Sequence, residues 1–527
     1  MSASPDIPST TSSADAHPAD AAGVHRGETL ASLLTRGSAT EPALVVPGGG
    51  PALDFATLEE AVGSFAGVLR SAGIARGDRV ALVLPDGPTF VQALLAVTLL
   101  GAAAAPLNPA YTRDEYAFYL EDLDPQLVLL PPDDVQAARA AVPAGSRIAE
   151  VISRDGRPAA LELGGRTVAG GRDFDAAVPD DIALLLHTSG TTSRPKQVPL
   201  RHRNLMASAE AITAHYRLGP GDVSYCAMPL FHVHGLVAST FAPLLAGGRT
   251  VVPPRFTPQR LLEHLGPDHV TWFSAGPTIY QSILERLDRT GGQAPQGLRF
   301  LRSCSSALPP DLMTRVEERF AAPLLEAYGM TEASHQITSN PLPPGPRMPA
   351  SVGIATGTDV RIVDFATNAV VPLGTPGEVQ IRGRGLTSGY LNNPQATEEA
   401  LVDGWFRTGD SGTLDDEGYL RLVGRLKEMV IRGGENIAPA EIEDALRTHP
   451  AVEDAVCFGV PDVKYGEQVA AAVTLRAAAD PSALQDHCRE RLAAFKVPRA
   501  IYIVDIIPRT PTGKLQRRRV AEQLGLG

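Results

Sequence analysis

Apolar residues fall along this chain in two rhythms. Short unbroken runs, among them Val80–Leu84, Leu127–Leu130, Ile182–Leu186 and Val270–Phe273, have the length and composition of strands buried on both faces. Between them lie stretches such as Thr57–Ala72, TLEEAVGSFAGVLRSA, in which apolar side chains recur at the spacing of a helix with one buried face. Strands alternating with helices predict α/β layers with largely parallel sheets. The most apolar segment, QALLAVTLLGAAAAPLN at 92–108, is punctuated by Gly101 and Pro106. It reads as a buried helix followed by a strand and is too short of uninterrupted apolar residues for a membrane span.

From residue 374 to 424 the rhythm changes. GEVQIRG, WFRTGD and DDEGYLRLVGR are short strands joined by turns, and they predict a small antiparallel, barrel-like sheet. The pattern then restarts with a helix (Ala440–Arg447), strands (Val452–Gly459 and Gln468–Leu475), a helix (Pro481–Ala494) and a strand (Ala500–Val504). That unit of about 100 residues has the size of one domain. The expected organisation is a disordered tail (1–27), a large α/β N-terminal domain (28–424) and a small, mobile α+β C-terminal domain (425–527).

Composition narrows the functional classes. Of 527 residues 44% are hydrophobic and 20% charged, which allows a sizeable core in a soluble chain. Lys and Arg number 47 against 59 Asp and Glu, a net charge of −12, so no basic surplus exists to displace the counterions of nucleic acid. The four cysteines (Cys226, Cys304, Cys457 and Cys488) are too scattered for a disulfide framework or a metal knuckle, and a reducing compartment is expected. The opening MSASPDIPSTTSSADAHPAD has neither a basic start nor an apolar core of the signal-peptide kind, so the location expected is cytoplasmic.

The chemistry concentrates first in HTSGTTSRPKQVPL, residues 187–200, which follows the apolar run Ile182–Leu186. A strand leading into hydroxyls, one glycine and a lysine can turn backbone N–H groups, Thr and Ser hydroxyls and a point charge toward phosphate oxygens. The segment lacks the spacing of a Walker A loop, and the same composition also suits an ordinary turn. His232 and His234 form an HxH pair, but no third ligand stands nearby for zinc. Tyr328 alone could be a core tyrosine, the TGD turn at Asp410 an ordinary turn, and Lys514 a solvated surface lysine.

Taken in order, however, the motifs resemble those of the adenylate-forming superfamily, which includes acyl-CoA synthetases, peptide-synthetase adenylation domains and luciferases. TSGTT-x-x-PK is followed by MPLFHVHGL (228–236), SCSSAL (303–308), EAYGMTE (326–332), GEVQIRG (377–383), WFRTGD (405–410), GRLKEMVIRGGENIAP (424–439) and PRTPTGK (508–514). The resemblance runs from about residue 28 to the end, and it implies ATP, Mg²⁺ and coenzyme A as co-substrates and cofactor. It implies that Thr188, Ser189, Gly190, Thr191, Thr192 and Lys196 hold phosphates. Ser305, Ser306, Ala307, Glu326, Ala327, Tyr328 and Gly329 would line the adenosine site, with Tyr328 stacked on adenine. Asp410 and Arg425 would hold the ribose. Thr331 would touch the α-phosphate and Glu332 would bind Mg²⁺.

The resemblance also implies that Lys514 bridges the substrate carboxylate and the α-phosphate. Lys427 stands at the hinge about which the small domain rotates, bringing Gly433 and Gly434 beside the pantetheine tunnel. The acid would be walled by Phe231, His232, His234, Ser303, Met330, Ser334 and His335. The 231–236 segment holds no aspartate to pair with a substrate amine, which counts against amino acid activation. HTSGTTSRPK with Ser193, RSCSSAL and MTEASHQITSNPLPPG look most like the oxalate–CoA ligase branch. Expected substrates are therefore oxalate or another small acid, with medium- or long-chain fatty acids, or transfer to a carrier protein or an amine, as alternatives. Gln197 and Cys304 depart from the family pattern, each standing where glycine is common.

Overall fold

The computed structural model describes residues 28–133, 135–171, 174–188, 195–432, 435–510 and 513–526. Its body is built on two large sheets. The first has nine strands, and at its centre Arg249–Val251, Val223–Cys226, Trp272–Ala275, Phe300–Ser303 and Leu324–Met330 run parallel. The second has eight strands. Arg79–Leu82, Ala103–Pro106, Leu127–Leu130, Arg147–Arg154 and Ile182–His187 are parallel there, and Gln197–Arg201 pairs antiparallel with Ile182–His187. The unbroken apolar runs are thus central strands, as the α/β reading required.

Helices Phe55–Ser71, Pro88–Leu99 and His202–His215 share one core with both sheets. The first starts at Asp54, whose carboxylate accepts the Thr57 N–H at 2.7 Å, and it buries Leu58, Val62, Phe65 and Leu69 on one face. Each such side chain, fully removed from water, contributes about 1.5–3 kcal/mol. Pro88–Leu99 is buried along nearly its whole circumference, which explains its lack of a polar stripe. It precedes the buried strand Ala103–Pro106, so 92–108 is helix then strand. No helix among the described residues is long and apolar enough to cross a membrane.

A five-stranded antiparallel sheet follows, made of Asp359–Val363, Gly377–Arg382, Leu401–Val402, Trp405–Leu414 and Leu420–Arg425. It begins earlier than the turn-rich composition suggested, because Asp359–Val363 carries a mixed pattern of polar and apolar residues. The last sheet, formed by Val430–Arg432, Glu435–Ile437, Val452–Asp462, Gly466–Leu475 and Ala500–Ile503, has its own core around Ile442, Leu446, Cys457 and Val473. The helix expected over Pro481–Ala494 ends at Arg489, where the chain turns so that Leu492, Phe495 and Val497 can pack on that core. All four cysteines are buried and free.

Candidate functional site

Parallel strands open a crevice at their carboxyl ends, where loops diverge. The motif residues converge at that edge of the nine-stranded sheet. Cys226 leads to the 228–236 loop, Ser303 to Cys304 and Ser305, and Met330 to Thr331 and Glu332. Three non-glycine residues there, Ser305 (φ 80°), Ser334 (φ 54°) and His335 (φ 106°), hold left-handed backbone conformations. Such conformations cost about 1–3 kcal/mol each and persist where surrounding structure fixes them, commonly at functional sites. His234 begins a π-helix, His234–Phe241, another local departure that often marks a site.

His234 is buried between two hydroxyls, with Ser305 Oγ 2.9 Å from Nδ1 and Ser274 Oγ 2.6 Å from Nε2. Its ring stacks on His335 with centroids 4.8 Å apart. Burial first, and the nearby Arg302 second, hold both imidazoles well below the usual histidine range. His232 lies beside Phe231, ring centroids 4.7 Å apart, and is lowered to about 4 by burial and then by Lys514. The pocket histidines are therefore neutral at physiological pH.

A buried positive charge lies against these histidines, on a residue that sequence reasoning missed. Arg302 is fully buried, 0% exposed, in the strand Phe300–Ser303. Its Nε donates to Tyr216 Oη (2.9 Å), Nη1 to Ser274 Oγ (2.9 Å) and Nη2 to Gln336 Oε1 (3.0 Å). Nη1 also lies 3.4 Å from His234 Nε2. All four partners are neutral, and among the described residues no carboxylate pairs with it. Near it the buried His335 Nε2 and Gln336 Nε2 have no hydrogen-bond partner among the described residues. A buried guanidinium without a counter-ion is unstable by several kcal/mol unless an anion meets it. The only cue in the sequence was an arginine inside an otherwise apolar strand.

The nucleotide motifs adjoin this pocket. Asp410, on Trp405–Leu414, is buried, with Oδ1 3.0 Å from Arg425 Nε and Oδ2 accepting the Tyr328 hydroxyl. Arg425 is the last residue of Leu420–Arg425, directly opposite Asp410 in the sheet register. Gly329 passes so close to the next strand that a Cβ there would lie 1.7 Å from His335 O, so no side chain fits. Glu326 accepts the Leu308 N–H at 3.1 Å, tying the 303–308 loop down, and burial raises its carboxyl to about 7. Ala327 is buried in the same strand, Met330 and Ser306 are half-buried, and Ala307 is exposed. Glu332 is buried, and Oε1 accepts the Tyr390 hydroxyl at 2.9 Å. Ser334 Oγ donates to Gly385 O at 2.8 Å.

Thr188 and Lys196 face each other across the base of the hydroxyl-rich loop, Thr188 N donating to Lys196 O at 3.0 Å. Lys196 Nζ lies 4.5 Å from the centroid of the Tyr390 ring. Ser189, Gly190, Thr191, Thr192 and Ser193, like Gly433 and Gly434, lie outside the described residues.

Lys514 comes from the C-terminal sheet's side of the molecule. Its loop is closed by Thr510 N–H to Lys514 O (2.8 Å) and by Arg509, which donates to Gly513 O (2.7 Å) and is held by Asp454 at 2.5 Å. Gly513, at φ 86°, passes so near the helix Pro277–Thr290 that a Cβ would lie 2.5 Å from Thr278 Oγ1. Burial, and then Arg425, lower the Lys514 ammonium, while Asp410 and Glu332 oppose that shift. The side chain therefore sits within electrostatic reach of the ribose and magnesium candidates. Lys427 is exposed in the single turn Leu426–Glu428 between the two small sheets.

Comparison with known proteins places these geometries in a family. The model of the AMP-binding enzymes matches residues 35–391, and that of the AMP-binding enzyme C-terminal domain matches 441–514. An oxalate–CoA ligase of Arabidopsis thaliana is 44% identical over 86% of this chain and 90% of its own length. A probable CoA ligase, CCL9, of Humulus lupulus is 43% identical over 94% and 96%. The ATP-bound crystal structure of MatB from Rhodopseudomonas palustris is 31% identical and superposes with a TM-score of 0.84 over 94% of this chain and 98% of its own. This chain belongs to the AMP-binding enzyme family.

Proposed function

We propose that this protein is an AMP-forming carboxylic acid–CoA ligase whose acid is a small dianion, with oxalate the first candidate. One carboxylate oxygen attacks the α-phosphorus of ATP, forming an O–P bond as the α–β anhydride breaks and pyrophosphate leaves. The thiolate of coenzyme A then attacks the acyl carbon, forming the C–S bond and releasing AMP, with the thiol proton passing to solvent.

Thr188, Lys196 and Thr331 would meet the phosphates, Asp410 and Arg425 the ribose, and Tyr328 the adenine. Lys514 would span the attacking carboxylate and the α-phosphate. Glu332 fits a magnesium site, because one donor satisfies its buried carboxylate and no ion pair holds it among the described residues. A hard dication completes its shell from such a carboxylate, phosphates and water, and it would neutralise phosphate charge.

The observation that carries the choice of acid is Arg302. With neutral histidines around it, the pocket offers one fixed, uncompensated positive charge beyond Lys514, which suits a second carboxylate. A fatty chain would bury apolar carbon against that guanidinium and leave it unpaired. The Arabidopsis relative's oxalate activity agrees with this reading. Pyrophosphate release measured with oxalate, butyrate and octanoate, with and without coenzyme A, tests it. Oxalate should give the highest rate and, with coenzyme A, free oxalyl thioester. Release no faster with oxalate than with octanoate would refute the acid assignment, and absence of thioester would point to a carrier-protein or amine acceptor.

We place the hinge at Lys427 and the division of the chain at 424/425, so that the C-terminal unit withdraws Lys514 after adenylation. Gly513 gives a second test. An alanine there meets Thr278 and an unfavourable positive φ, so Gly513→Ala should slow acyl-adenylate formation at least about tenfold while sparing thioester formation from added acyl-adenylate. Thr278→Ala in the same chain should restore part of the loss if the contact is responsible.

A further inference from the structure

The geometry points to Asp122 as a positioning residue that aligns Thr188 and Lys196 for the phosphates of ATP, through a clamp made by His187 and Gln197. Asp122 lies on the helix Arg113–Leu123, outside every motif quoted above. His187 ends the strand before the phosphate loop and Gln197 begins the strand after it. The two are cross-strand partners. Both reach the same aspartate. His187 Nε2 lies 2.9 Å from Asp122 Oδ2, and Gln197 Nε2 donates to Asp122 Oδ2 at 2.7 Å and to its backbone carbonyl at 2.5 Å.

The imidazole is fixed from a second side by the edge of Tyr119, whose centroid is 4.7 Å away, and Tyr119 stacks on Tyr111. Burial lowers the His187 pKa while Asp122 opposes that shift, and facing a carboxylate the ring nitrogen is the donor. Beyond the clamp, Thr188 and Lys196 exchange two hydrogen bonds, Thr188 N to Lys196 O (3.0 Å) and Lys196 N to Thr188 Oγ1 (3.3 Å). Gln197 O accepts from Leu391 N at 3.0 Å, next to Tyr390, over which Lys196 lies.

A glycine at 197 could make none of the side-chain bonds. The departure from the family pattern at this position therefore has a physical use. It ties the register of both strand ends to a helix, where a bare hairpin base could slide or splay. The side chain of Asp122 is 40% exposed, so its loss leaves no stranded buried charge and the fold is expected to survive.

The inference rests on the phosphate-loop role proposed above, and the test separates the two. Asp122→Ala, Gln197→Gly and Lys196→Ala are compared by ATP–pyrophosphate exchange, by thioester formation from added acyl-adenylate, and by thermal melting. Asp122→Ala and Gln197→Gly should each raise the KM for ATP about tenfold or more, as a small misplacement of binding groups does. The KM for the acid and the rate from added acyl-adenylate should stay near wild type, since the β- and γ-phosphates have left by then. The melting temperature should hold for Asp122→Ala, whereas Gln197→Gly, which empties a buried position, should lower it. If Lys196→Ala raises the KM for ATP and the two clamp variants do not, the clamp is overturned and the loop reading stands. If Lys196→Ala leaves it unchanged, the loop reading itself falls. A KM shift in the clamp variants that comes with an equal loss in the acyl-adenylate reaction and a lowered melting temperature also overturns the clamp, because it reports general damage.

Discussion

Lys514→Ala should lower acid-dependent pyrophosphate release about 10²–10³-fold while leaving thioester formation from added acyl-adenylate within a few-fold of wild type. The split follows from charge and place. During adenylation negative charge gathers between the attacking carboxylate and the α-phosphate, and a cation placed there beforehand stabilises the transition state without reorganisation. In the role proposed for it the Lys514 ammonium would be held by a loop closed on itself and anchored through Arg509 to Asp454. Asp410 and Glu332 favour its charged form against the desolvation that burial imposes. In the second half-reaction the attack falls on the acyl carbon and not on phosphorus, so the bridging role proposed for Lys514 has no counterpart there. Rapid-quench measurement of each half-reaction decides the matter. Equal losses in both would show that Lys514 supports the fold or nucleotide binding in general.

Arg302→Met carries the second large effect. We expect kcat/KM for oxalate to fall at least about 10²-fold, because truncating one partner of a desolvated charge pair costs about 2–5 kcal/mol or more. Stability should hold or rise, since a methionine of similar reach removes a buried charge that no carboxylate among the described residues meets, against the loss of its neutral hydrogen bonds. Tyr216 retains Ser339 Oγ at 2.6 Å as a partner when the guanidinium is gone. Kinetics with oxalate and butyrate, set beside thermal melts, check both halves of this expectation. Activity lost equally for both acids, together with a large drop in melting temperature, would make Arg302 a structural residue. Because Arg302 also helps to hold His234 and His335 neutral, the same variant should raise both histidine pKa values, which ¹³C NMR of the imidazoles can follow.

The residues expected to hold nucleotide are the more legible in a sequence, because those motifs are local. Ser305, Ser306 and Ala307 follow one strand, Tyr328 to Glu332 end another, and each keeps its neighbours whatever the rest of the chain does. The acid pocket was read less fully. Ser334, expected to line it, has its hydroxyl bonded to Gly385 O, a partner 51 residues away that no local pattern reveals. Arg302 stood inside a quoted motif without being singled out, since an arginine in a strand does not announce whether a carboxylate waits across the sheet. Asp122 and Thr278 had no motif at all, because their partners are 65 or more residues away along the chain.

What the sequence determined by itself was the set of layers and the order of the motifs. Runs buried on both faces must be central strands, helical stripes must cover them, and hydroxyl- and glycine-rich turns must fall at strand ends where backbone groups are free. Only the tertiary structure decided which charges have partners. Pairing depends on side chains drawn together from distant strands and on the water they exclude, and neither quantity is a property of any segment taken alone. That is why the loop proposed to hold phosphate could be singled out in the sequence while its Asp122 clamp and the guanidinium of Arg302, which no carboxylate among the described residues meets, could not.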